Sequence, residues 1–142
     1  MGQPVLAGSF LRRREIIVDA ELFDASDERA RILTHELFHF VWLRLGNGAR
    51  SQWSGVVEAE IRLRARGELG WSSEWRKRAL LASSGTHSRQ WREYICESFC
   101  DTAAWLYAGL DDHDEFTLAR RWRVKRRTWF ERAMGSGGAI QI

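Results

Sequence analysis

The sequence predicts a predominantly helical α+β domain with a small N-terminal antiparallel sheet or edge strand. Three observations predict it. Long segments carry apolar residues at helical spacing and end at glycine stops. One early segment alternates apolar and charged residues, as a strand with one wet face does. The 142 residues are 44% hydrophobic and 29% charged, with one proline and no repeat. That composition fits a single domain over 1–134, followed by a flexible tail at 135–142.

The first ten residues read as loosely held. Residues 15–23 set Ile16, Val18, Ala20 and Leu22 against Glu15, Asp19 and Glu21, which is the strand pattern. Asp24 or Ser26 can cap the next helix, and Asp27 and Glu28 suit its positive first turn. This helix runs to about Leu45 and stops at Gly46-Asn47-Gly48. From Ile32 onward it is apolar almost all round, as a central helix covered on several sides would be. Polar residues inside it need a reason to be there.

Residues 56–66 fit either element. Val57, Ala59, Ile61, Leu63 and Ala65 alternate with charged residues, yet Glu58–Arg62 and Glu60–Arg64 are favourable helix pairs. The balance leans to helix. Gly67 to Ser73 reads as a turn region, with Ser72 or Ser73 capping a short helix to about Leu81. After a loop at 82–88, a long helix spans about Arg89 to Ala108 and ends at Gly109. The acidic link 111–115 leads to a last helix from about Thr117 to Met134. The apolar end of the tail, Ala139 to Ile142, could dock as a strand in its own or a neighbour's cleft.

Twenty-two Lys and Arg against 19 Asp and Glu give a net charge of +3. That is too small to imply a nucleic-acid binder. No apolar run is long enough to span a membrane, and Met1 to Phe10 is too short and weakly apolar for a signal peptide. A cytoplasmic location is therefore expected. Cys96 and Cys100 offer no disulfide framework; two buried structural thiols are favoured over zinc ligation by the pair. Eight tryptophans should fill the core and line a cleft.

The chemistry lies in His35-Glu36-Leu37-Phe38-His39. Two histidines four apart on a helix share a face, so both imidazoles can reach one zinc ion about 2 Å away. Glu36 is rotated toward the same cleft and can take a proton from a metal-activated water. Two core histidines bonded to backbone are the competing account. They would put three polar side chains on an apolar helix with no common purpose.

Residues 32–41 resemble the extended signature of zincin metallopeptidases. That resemblance implies zinc on His35 and His39, with Glu36 as general base. The metzincin continuation needs glycine at position 42 and histidine at 45, where this chain has Trp42 and Leu45. The aspzincin pattern fails because Gly85-Thr86 is followed by His87-Ser88. Gluzincins take a glutamate from a later helix, often with an aspartate four residues on, and Glu97-Ser98-Phe99-Cys100-Asp101 has that spacing. The resemblance thus implies Glu97 as third ligand and Asp101 as the acceptor that orients a ligand histidine.

Glu93, His87, Glu58 and Glu60 compete with Glu97. Spacing and size are similar to the ImmA/IrrE-like and minimal-scaffold gluzincins, although the proline-containing continuation of ImmA-like proteins is missing. Family analogy adds an edge strand, supplied by 15–23, that pairs with extended substrate. Tyr94, His87 and Tyr107 are candidates to stabilise an oxyanion, Tyr94 being more readily a core residue with a satisfied hydroxyl. His113 reads as solvated.

Two function classes follow. One is a zinc metallopeptidase acting on peptide or protein. The other is a non-catalytic zincin-derived module with structural zinc, holding a partner or nucleic acid through the basic stretch 120–127. A docked amphipathic helix with a solvated face is the favoured reading of that stretch, and nothing indicates an oligomeric state.

Overall fold

The computed structural model describes residues 7–18, 26–83 and 88–135. Strand β1 (Ala7–Phe10) pairs antiparallel with β2 (Glu15–Val18), Phe10 opposite Glu15 and Ala7 opposite Val18. The first ten residues are thus not all loose: their last four form half of a hairpin. Of the strand pattern at 15–23, residues 15–18 are strand; 19–23 lie outside the described residues. Both strands are accounted for by the hairpin.

Five helices follow among the described residues: α1 (Ser26–Arg44), α2 (Asn47–Arg62), α3 (Trp71–Ala82), α4 (Ser88–Tyr107) and α5 (Arg120–Met134). The protein is predominantly helical. Helix α4 is central, packed by α1 and α3, while α2 packs on both α4 and α5. The arrangement follows from the apolar residues. Phe38, Val41 and Trp42 of α1 meet Trp53 and Val57 of α2, Phe99 and Ala103 of α4, and Trp129 and Phe130 of α5 in one cluster. Phe99 stacks on Phe130 with ring centres 5.0 Å apart. Trp53, fully buried, satisfies its indole on the Ile95 carbonyl at 2.9 Å. Each such ring stabilises the fold by roughly 1.5–3 kcal/mol through burial.

The ambiguous segment is helical as far as Arg62, and residues 63–66 turn out of the helix, Arg64 at φ +57°. Trp53, Val57 and Glu60 are the buried positions of α2, a spacing of four then three that only a helix brings to one face. The strict alternation around them is incidental. A second cluster joins Ala65, Leu69, Phe116, Leu118 and Trp122. It forms where residues 67–69 lie against 116–118, with Thr117 and Leu118 both donating to the Glu68 carbonyl. Gly67 adopts φ +83° there, and a Cβ on it would overlap Thr117.

Helix α3 begins at Trp71 without a side-chain cap of its own. Neither Ser72 nor Ser73 caps it: both lie inside its first turn, and the cap comes from Asp101 of α4 and Glu115 of the link before α5, as described below. Helix α5 starts three residues later than the sequence suggests. The tail beyond 135, with its apolar end, lies outside the described residues. No helix among the described residues is long and apolar enough to cross a membrane.

Candidate metal centre

Helices α1 and α4 pack with His35, His39, Glu97 and Asp101 facing one another. His35 Nε2 lies 3.0 Å from one Glu97 oxygen, and His39 Nε2 lies 3.6 Å from the other. The distal nitrogens are occupied too. His35 Nδ1 meets Asp101 Oδ1 at 2.7 Å, and His39 Nδ1 meets Cys96 Sγ at 3.5 Å. Each imidazole is therefore held from behind with its Nε2 turned toward the shared carboxylate. Glu36, beside His35 on α1, is 8% exposed.

The first turn of α3 fixes the two carboxylates. Its amide groups lack intrahelical partners, and residues of other elements supply them. Ser73 donates both its N–H (2.9 Å) and its hydroxyl (2.6 Å) to Asp101 Oδ2. The Trp71 N–H donates to Glu115 at 2.7 Å. Asp101 thus caps α3 with one oxygen and orients His35 with the other. Gly70 lets the helix come that close, since a Cβ there would overlap the Asp101 carboxylate. Ser72 donates to Glu97 at 2.7 Å, and Arg76 donates to Ser72 Oγ while lying 3.8 Å from Glu97. Ser72, Ser73 and Arg76 carry no metal-site signature in the sequence; only the serines' suitability as helix-start residues hints at a role near a helix terminus.

The electrostatics favour a cation. Burial disfavours charge on His35, but Asp101 and then Glu97 overcome it and hold the pKa well above the ordinary 6.5. Burial likewise opposes ionisation of Glu97, yet hydrogen bonding and charge from His35, with His39 and Arg76, bring it down to about 2. In the metal-free protein the carboxylates therefore draw a proton onto His35.

The cysteines adjoin this cluster. His35, His39 and Cys100 offer ligand atoms within 4.8 Å of one another. Cys100 is buried, but Cys96 is only partly so, and it touches His39. The hydrogen bond with Cys100, together with His39, outweighs burial and lowers the Cys96 thiol to about 6. Burial pushes Cys100 well above its usual value.

The remaining sequence candidates lie elsewhere. Glu93 is exposed and paired with Arg89 at 3.1 Å. Glu58 is exposed, and Glu60 is buried against Arg126 at 2.7 Å. Tyr94 is fully buried and donates its hydroxyl to Glu68, so its proton is committed to a buried ion cluster. Tyr107 is 46% exposed and stacks on Phe38. His87 lies outside the described residues.

His113 is not simply solvated. It bonds Glu28 and approaches Glu115, and Arg31 bridges both acids. This group ties the first turn of α1 to the link before α5.

The donor set fits zinc by its chemistry: two imidazoles and a carboxylate, each backed by a second group, with a surplus of negative charge. No protein-family model, curated protein or solved structure matches the chain.

Proposed function

We propose that this chain is a zinc-dependent metallopeptidase of gluzincin type on a zincin-like fold, with His35, His39 and Glu97 as ligands and Glu36 as general base. The observation that carries the reading is the Glu97 carboxylate set between the Nε2 atoms of both motif histidines. Zinc, when bound there, supplies Lewis acidity toward a carbonyl oxygen and makes a water acidic near neutrality. The chain supplies the rest. Glu36 accepts the water's proton and can return it to the leaving amine. Asp101 fixes the His35 ring through Nδ1, and Ser72 and Arg76 hold Glu97 against the histidines.

One observation favours a second reading. Cys100 stands within ligand distance of both histidines, and a His2GluCys set would be closed, as structural zinc sites are. Glu97 is the better third ligand because its two oxygens lie 3.0 and 3.6 Å from the Nε2 atoms of His35 and His39.

Metal content of purified wild type beside Glu97→Ala, Glu93→Ala and Cys100→Ala tests the ligand set. Loss in Glu97→Ala alone is expected; loss in Cys100→Ala would establish the closed site instead. Glu36→Gln should retain zinc and lose roughly 10²–10⁴-fold in hydrolysis of a fluorogenic peptide library. Unchanged turnover would remove Glu36 from the base role.

A further inference from the structure

Helix α5 carries seven Arg or Lys and a single acid, Glu131, in fifteen residues. On α3 and α4 an exposed cation is paired along its own helix, Arg78 with Glu74 and Arg89 with Glu93. On α5 no surface cation has an acidic partner among the described residues; only buried Arg126 is paired, and it faces inward.

The surface cations fall into two rows. A helix turns about 100° per residue, which places Arg121, Lys125 and Arg132 along one flank. Arg120 and Arg127 lie along the other, where the half-buried Arg123 donates to the Leu118 and Phe116 carbonyls at 2.6 Å each. Each row rests on a tryptophan: Arg121 and Lys125 lie 4.6 and 5.0 Å from the Trp122 ring, and Arg127 lies 4.9 Å from Trp105. Such contacts hold the charged ends without neutralising them. Between the rows run Val124, 53% exposed, Thr128 and Glu131. Exposed Arg64 and Arg66 flank Ala65, which packs in the same cluster as Trp122.

We propose that this face binds duplex DNA, with α5 in the major groove and the two cationic rows on the phosphates of opposite strands. The dimensions agree: a helix with its side chains is about 10–12 Å across, and the major groove of B-form DNA is about 12 Å wide. The deep, narrow major groove of an RNA duplex would not admit the helix. An anionic membrane is a poorer fit, because interfacial helices insert a broad apolar face. The apolar residues of α5, Trp122, Trp129 and Phe130, are already buried in the protein.

Fluorescence anisotropy of the full chain with a labelled duplex of about 20 bp, two helical turns, over a salt series tests this. The logarithm of affinity should fall against the logarithm of salt with a slope near −3 to −4, as expected for about four phosphate contacts. Arg121→Ala with Lys125→Ala should weaken binding at least ~10-fold at low salt and flatten the slope by about two. Arg120→Ala with Arg127→Ala should do the same. The matching glutamine pairs repeat the measurement should either alanine pair lose helical content. Arg44→Ala, on α1, should change nothing, and Glu97→Ala should bind as the wild type does, which separates this face from the metal centre. A salt-insensitive or pair-insensitive affinity would overturn the proposal. So would equal binding of single-stranded DNA, or binding to phosphatidylserine vesicles without binding to the duplex.

Discussion

Glu68 and Asp101 are both buried carboxylates, and both are reached by the hydroxyl of Ser73. Yet they belong to clusters of opposite character. Around Glu68 the charge is closed. Arg126 spends its donors in five bonds: two to Glu60, two to Glu68 and one to Thr102. Tyr94 and Lys77 complete the group, and two acids meet two bases in a region sealed from solvent. Around Asp101 it is open. Asp101 and Glu97 face two imidazoles, which are neutral unless they take up protons, and Arg76 stands 3.8 Å from Glu97. A cluster that carries its own counter-charge is scaffold. One that must draw a cation from solvent has the character of a site.

The largest effect that could break this comparison is Arg126→Met. It leaves Glu60 and Glu68 buried without their partner, which costs about 3–5 kcal/mol, because removing one member of a buried pair strands the other. Urea unfolding should show that loss, or no folded protein at all, whereas Glu97→Ala should lose zinc and much less stability. A loss below about 1 kcal/mol in Arg126→Met would make the closed cluster no more structural than the open one.

The two clusters were unequally legible in the sequence, for a physical reason. His35 and His39 are four apart on one helix, so local spacing alone aligns them. Glu97 and Asp101 repeat that spacing on α4. The closed cluster is assembled from α2, the segment before α3, α4 and α5, and no local spacing encodes it. Arg126 sits within a run of cations, and only packing decides which of them faces inward. Glu60 lies in a segment whose alternation suits a strand as well as a helix, so its burial cannot be read before the element is known. Ser72 and Ser73 look like helix caps, but Asp101 reaches the amide of Ser73 from a different helix.

Asp101→Asn has the next largest expected effect. Size and shape are kept, but the charged acceptor behind His35 Nδ1 and at the amino end of α3 becomes neutral. Zinc affinity should fall about 10–100-fold, the usual cost of losing a partner behind a ligand histidine. Competition with a chromophoric chelator reads this directly. Loss of the α3 cap should add roughly 0.5–2 kcal/mol of destabilisation. Unchanged affinity would leave Asp101 as a cap alone and move it to the scaffold side of the comparison.

The smallest and most discriminating effect is in pH. The His35 pKa is raised in the fold, so its contribution is full below the ordinary 6.5 and is lost as pH climbs through the raised value. The Glu97 pKa is lowered to about 2 from 4.5, so its contribution is present above 4.5 and is lost as pH falls toward 2. The metal-free protein should therefore be favoured by these two groups between those limits and weaken in alkali. Zinc requires neutral His35, so the stabilisation it confers should grow with pH. Melting temperatures with chelator and with zinc should diverge as pH rises, each kcal/mol of difference appearing as roughly 2–4 °C. Arg126 is held in its charged form by Glu68 and Glu60 despite burial, so its cluster adds nothing to that divergence. Parallel profiles would mean that no proton on His35 stands where a metal ion would otherwise serve, and the open cluster would then be as self-contained as the closed one.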